Sequence, residues 1–110
     1  MDKIKVSDDS KTVRERVIKA RKFENERLKK IYNIDNLLNS SLSGKQIEES
    51  SNIIPEAMEL LTKSAEKLKL SARGYYKTMK VARTIADMEQ RDIVIPTDIS
   101  MALSFRRKLP

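Results

Sequence analysis

Cysteine, histidine and tryptophan are absent from this chain, and 110 residues hold only two glycines and three prolines. Without cysteine no disulfide forms, and a reducing, cytoplasmic compartment is the expectation. Without cysteine and histidine together, a zinc centre of the usual ligands, a Cys–His or Ser–His–Asp nucleophile and a haem held by histidine are all excluded. Aromatic side chains are scarce at 5%, only Phe23, Phe105 and three tyrosines, so few platforms exist for stacking single-stranded bases. No apolar run approaches membrane-spanning length, and no membrane partner is expected; the opening MDKIKVSDDS has no signal-peptide pattern.

What remains is charge and helical rhythm. Charged residues make up 35% of the chain, and the length supports one domain with a modest core. With so few backbone breakers, the expected fold is all-α, a compact bundle of about five helices. The net charge is +7, and it is concentrated. Residues 11–30 hold nine basic and three acidic side chains, and residues 63–83 hold seven basic and one acidic. Two solvated helix faces would account for this. So would attraction to a polyanion, either nucleic acid or the phosphates of a nucleotide shared with another domain.

Along the chain, residues 1–10 read as a connector from an upstream domain, with Ile4 and Val6 in weak alternation, and residues 11–110 as the helical domain. Thr12 and Glu15 have the spacing of a capping box, predicting a helix from there to about Tyr32 with Val13, Val17, Ala20, Leu28 and Ile31 inward. Its arginines are expected to solvate the helix or pair with its glutamates. Ile34, Leu37, Leu38 and Leu42 anchor a polar stretch, and Ser43 with Gln46 caps a short helix from Gly44. Pro55 opens a third helix, with Ala57, Leu60, Leu61, Ser64, Ala65 and Leu68 as its inner stripe. A helix-turn-helix reading of this region is weak, because Glu56 and Glu59 on its second helix would repel phosphates. A very short link to Ser71 predicts that the third and fourth helices pack as a hairpin. Beyond the fourth helix, IVIP reads as an extended linker and Thr97 as the cap of a last helix packed by Ile99, Ala102, Leu103 and Phe105. Arg106, Arg107 and Lys108 supply the positive charge that its C-terminal end favours.

The stretch that organises the rest is Ser71–Asp87, SARGYYKTMKVARTIAD. Tyr75, Met79, Ala82 and Ala86 recur at the spacing of one buried helix face, widened by Ile85. Ser71 is the natural N-cap, which puts Arg73 in the first turn. A cation there opposes the helix dipole, so it is badly placed for helix stability. For an anion it is well placed, beside backbone N–H groups that already favour phosphate. Lys77 and Lys80 follow on the same helix and are candidates for contact with nucleic acid. Arg83 and Asp87, four apart, have the spacing of a structural pair, and Thr84 of a bond to the carbonyl one turn back.

The wording of Leu70–Leu109, with its SAR and VARTIAD segments, resembles the C-terminal end of the magnesium-chelatase-like AAA+ ATPases of the bacterial competence-protein ComM group. TVRERVIKARKFENERL and LNSSLSGKQI resemble two upstream segments of the same family, so the likeness covers roughly residues 10–109. It departs where the family has glutamine at Glu24, histidine at Asp98 and tyrosine at Phe105. The resemblance implies a lid subdomain in which Arg73 is the sensor-2 arginine, contributing to ATP hydrolysis and touching the γ-phosphate. ATP and Mg2+ would be held mainly by an AAA+ core of the same parent protein, in a ring of neighbouring subunits acting on DNA. This chain has no G-x-x-x-x-G-K-[ST] loop, since its only glycines are Gly44 and Gly74, so it is not expected to hydrolyse ATP alone. Two other classes stay open, a free-standing basic module for nucleic acid and an adaptor for partner helices. Salt-dependent DNA affinity would favour the first, and a large exposed apolar surface the second.

Overall fold

Two prolines and two serines set four of the helix starts. The computed structural model describes the backbone of residues 2–108 and the side chains of 10–105. The described residues form α1 (Asp2–Tyr32), a 3-10 turn (Asn39–Ser41), α2 (Gly44–Ser50), α3 (Pro55–Leu68), α4 (Ala72–Met88) and α5 (Pro96–Lys108). Ser43 and Gln46 form the expected reciprocal capping box at α2. Pro55 opens α3 behind an extended Ile54, and Ser71 caps α4. The fold is the all-α bundle that the breaker-poor sequence predicts.

The core runs through Leu28, Leu42, Ile47, Ala57, Leu61, Met79, Ala82, Ile85, Ala86, Val94, Ile99 and Ala102. α4 lies at its centre, packed chiefly on α5 and α1, while α3 packs chiefly on α5. The predicted hairpin of α3 on α4 is therefore not the dominant contact. Lys69, in the left-handed conformation, closes α3 and redirects the chain, with the Leu70 N–H reaching back to the Ala65 carbonyl at 3.0 Å. The turn is as short as expected, but it sends α4 toward α5 and α1.

Helix α1 differs most from its prediction. It is already helical at Asp2, so Thr12 and Glu15 lie within it and cap nothing, and residues 2–10, read as a connector, are part of the same helix. Ala20 and Leu28 are buried as expected, but Val13, Val17 and Ile31 are exposed at 55%, 41% and 49%. The polar Glu24 and Arg27 take the inner positions instead. The side chains of Ile4, Val6, Arg106, Arg107 and Lys108 lie outside the described residues. On α5, Ile99 and Ala102 are buried but Phe105 is 44% exposed, so it does not pack down. Thr97 is not the cap of α5. The helix begins at Pro96, and the Asp98 carboxylate reaches back to the Ile95 N–H at 3.0 Å. Of IVIP, Ile93 lies in a bend and Pro96 already belongs to α5, so the extended linker shrinks to Val94 and Ile95, where Val94 pairs in parallel with Ile53 through bonds of 3.1 and 3.2 Å.

Candidate functional site

Arg73 is placed by its cap. Ser71 adopts the extended conformation of an N-cap, and its hydroxyl accepts from the Gly74 N–H at 3.1 Å. This fixes Arg73 in the first turn of α4, with its side chain exposed. Among the described residues Arg73 enters no ion pair. Arg73 lines a groove of about 580 Å3 between α4 and the Ser40–Gly44 segment.

Arg73, Lys77 and Lys80 all line this groove, as the intervals of four and three residues on one helix side require. Ser40, Ser43 and Thr84 add hydroxyls, and no carboxylate lines it. Lys80 leans on the opposite wall, its Nζ 3.4 Å from the Ser40 carbonyl. A second groove, of about 380 Å3, is lined by Glu26, Glu49 and Asp92 as well as Lys30. Three carboxylates against Arg27 and Lys30 make that one unfavourable for phosphate, whereas among the described residues the charged side chains lining the Arg73 groove are all cations, set beside the apolar Leu42, Tyr76 and Val81.

Thr84, on the groove lining, accepts from Asn39 and so joins the groove to a buried charge network that sequence reasoning only half anticipated. Arg83 and Asp87 do pair, Nη2 to Oδ1 at 3.1 Å, with both side chains almost wholly buried. Arg83 also donates from Nη1 to the carbonyls of Ser51 and Asp92 at 2.9 and 2.8 Å, and from Nη2 to that of Arg91. Burial pushes the Arg83 guanidinium below its ordinary pKa, against the opposing pull of Asp87. Arg27, expected on the solvated face, instead grips Asp87 through Nε and Nη2 and donates to Asn39 Oδ1 at 2.6 Å. Asn39 returns a bond to Asp87 Oδ2 at 2.8 Å and another to Thr84 Oγ1 at 3.2 Å. Its backbone N–H donates to Glu24 at 2.7 Å. Thr84 bonds the Lys80 carbonyl at 2.9 Å, as predicted.

The network therefore ties α1, the 3-10 turn and the α4–α5 linker to α4. It is a brace and not a reacting centre, since its charged groups face protein partners, with only the buried Arg83 Nε left without a hydrogen bond among the described residues. It touches the Arg73 groove at one point, the bond from Asn39 to Thr84. Of the residues singled out from sequence, Arg73, Lys77 and Lys80 meet at one groove, while Arg83 and Asp87 are buried and do not line it. Sequence reasoning missed Arg27 and Asn39, and it missed Tyr76 and Gly44 in the groove wall. For Arg27 a signal existed: it continues the four-three rhythm of Ala20 and Glu24.

A profile of the magnesium chelatase, subunit ChlI C-terminal family matches residues 7–106, nearly the whole chain and all of the groove. The chain belongs to that family. The chain is 34% identical over 99 residues to the competence protein ComM of Haemophilus influenzae, covering 90% of the chain and 18% of that relative. It is 33% identical over the same length to the uncharacterized protein YifB of Escherichia coli and to that of Salmonella typhimurium, with the same coverage. The domain thus spans about 18% of the length of the relatives it matches. No solved structure matches it. Among the described residues no helix of this ChlI C-terminal domain is long and apolar enough to cross a membrane.

Proposed function

We propose that this chain is the lid domain of a magnesium-chelatase-like AAA+ ATPase, with Arg73 as its sensor-2 arginine. The observation that carries the reading is the exposed Arg73 in the first turn of α4, without an ion-pair partner among the described residues, on a partly apolar groove whose charged lining residues are all cations. Membership of the ChlI C-terminal family supports it. So does the 34% identity to the competence protein ComM, and action on DNA by the full-length protein is part of the same proposal.

In this reading an ATPase core, supplied by another part of the protein or by a neighbouring subunit of a ring, holds most of the ATP. The lid brings Arg73 to the γ-phosphate. Its fixed fork of donors matches phosphate oxygens in two places at once, and it stabilises charge that spreads over the transferring group. When that group leaves, the contact is lost and the lid is released, so the arginine reports hydrolysis as well as aiding it. Lys77 and Lys80 strengthen the field of the same groove. The lining suits a triphosphate and not its Mg2+ ion, for which it offers no carboxylate. The metal ligands and the phosphate-binding loop then belong to the core, and the chain alone is not an enzyme.

The test is Arg73→Ala in the full-length protein. Turnover of ATP falls by about 10³ if the arginine acts as such residues do in phosphoryl transfer. Turnover within a factor of two of wild type overturns the assignment. A second reading, a free-standing module for nucleic acid, draws on the same Lys77 and Lys80. It predicts that the 110-residue chain alone binds DNA with steep salt dependence. The lid reading predicts weak binding at most.

A further inference from the structure

We infer that Tyr76 is a positioning residue for Arg73, and that Gly44 is the gap that lets it serve as one. The inference rests on the lid reading above and adds the device that aims its arginine. Tyr76 lies one turn after Arg73 on α4, and both side chains line the groove. The opposite wall at this level is Gly44, the first residue of α2. A Cβ at position 44 would lie 2.6, 2.7 and 2.9 Å from Cε2, Cδ2 and Cζ of the Tyr76 ring. Carbon atoms do not approach so closely, so any larger residue must displace the ring or the helix. Among the described residues no glycine has a positive φ, so position 44 needs glycine for space and not for backbone conformation.

Neither side of this contact yields easily. The start of α2 is fixed by the Ser43–Gln46 capping box. The Tyr76 ring is held edge-to-face against Tyr75, with centroids 5.4 Å apart and planes at 71°. Tyr75 in turn places its hydroxyl 3.6 Å from Met58 Sδ on α3. Gly44, Tyr76, Tyr75 and Met58 therefore form a strap across α2, α4 and α3, at the turn that follows Arg73. Groove width and the direction of the arginine are set together. Enlarging residue 44 either drives the ring into the space beside Arg73 or moves the α2 wall away from it.

The test is a set of variants of the full-length protein assayed for ATP turnover, with thermal melts as the fold control. Gly44→Ala and Tyr76→Ala lower kcat by about ten- to a hundredfold, the cost of an ångström-scale misplacement, while KM for ATP changes much less. Tyr76→Phe, which keeps the ring, retains wild-type turnover. The double variant G44A/Y76A is no worse than Tyr76→Ala, because the clash has been removed. A folded Gly44→Ala with wild-type kcat overturns the inference, as does a double variant whose losses multiply. Should Gly44→Ala fail to fold, the contrast between Tyr76→Phe and Tyr76→Ala decides: equal kcat in the two overturns it. Arg73→Ala is run alongside. Unchanged turnover there overturns the lid reading itself, whereas a loss there without one in the strap variants overturns the strap alone.

Discussion

Arg27 on α1 and Asp87 on α4, sixty residues apart in sequence, meet in a two-pronged contact of 3.1 and 3.2 Å with almost no access to water. Asp87 faces Arg83 as well, so one carboxylate serves two buried guanidinium groups. Asp87→Ala leaves both without it, and removing one partner from such a site costs about 3–5 kcal/mol. Urea denaturation of the chain reads this as a large drop in midpoint with little change in slope. Arg27→Lys is nearly as damaging, since an ammonium cannot reach Asp87 twice and Asn39 as well. An unmoved midpoint for both variants would mean that the site is hydrated and the brace is not one.

Burial separates two leucines that the helical rhythm treats alike. Leu61 is fully buried between α3 and the core, whereas Leu68 near the end of α3 is only half-buried. Leu61→Ala should cost about 2–5 kcal/mol, and Leu68→Ala clearly less. Calorimetric melting of both variants checks the order. Equal losses would place the end of α3 deeper than the structure does.

That contrast shows where the sequence is legible. Most local signals are read well: the Ser43–Gln46 box, Pro55, Ser71, and the Met79, Ala82 and Ala86 face appear as expected, each decided within a turn or two of helix, whereas the Thr12–Glu15 box and the Thr97 cap fail because the helix starts before them. Signals that depend on a distant partner are not. Val13 and Glu24 look outward or inward only once it is known where the bundle stops covering α1. Arg27 belongs inside only because Asp87 and Asn39 wait there. The parallel pairing of Ile53 with Val94 joins segments forty residues apart and leaves no local mark. For Arg73, sequence gave the turn it occupies but not the absence of carboxylates around it, which is what leaves it available.

Two carboxyl groups give the stability opposite dependences on pH. Burial alone would raise the pKa of Asp98, but the hydrogen bonds from Arg91, at 2.6 and 2.7 Å, and from the Ile95 N–H hold it below its ordinary value. Its contribution is therefore complete above the unfolded pKa and is lost as pH falls through the folded one. Glu24 is shifted the other way. Burial raises it, more than the Asn39 N–H lowers it, and Asp87 adds repulsion. The folded state then keeps this proton to a higher pH than the unfolded state does, so stability declines as pH rises from the ordinary glutamate range through the raised value. Asp98→Asn should flatten the acid limb and lower stability near neutrality. Glu24→Gln keeps an oxygen for the Asn39 N–H without the charge, so it should remove the decline and raise the neutral-pH melting temperature. Denaturation midpoints measured from acid to neutral pH decide; a Glu24→Gln curve parallel to wild type would contradict the assignment.

Arg73 is the position where stability and the proposed function pull apart. Its side chain is exposed and enters no ion pair among the described residues, and it sits at the helix end that disfavours a cation. Arg73→Ala should therefore leave the melting temperature of the chain unchanged or slightly higher. Arg73→Lys keeps the charge and loses the planar fork. If the groove only attracts anions, lysine restores turnover of the full-length protein to near wild type. If the arginine grips the transferring phosphate at two oxygens, lysine restores part of the ATP affinity while kcat stays down by about a hundredfold or more. Steady-state kinetics of the alanine and lysine variants, set beside their melting curves, separate these cases. A residue whose removal stabilises the domain and disables the ATPase is held by function, and one whose lysine variant is fully active is held by charge alone.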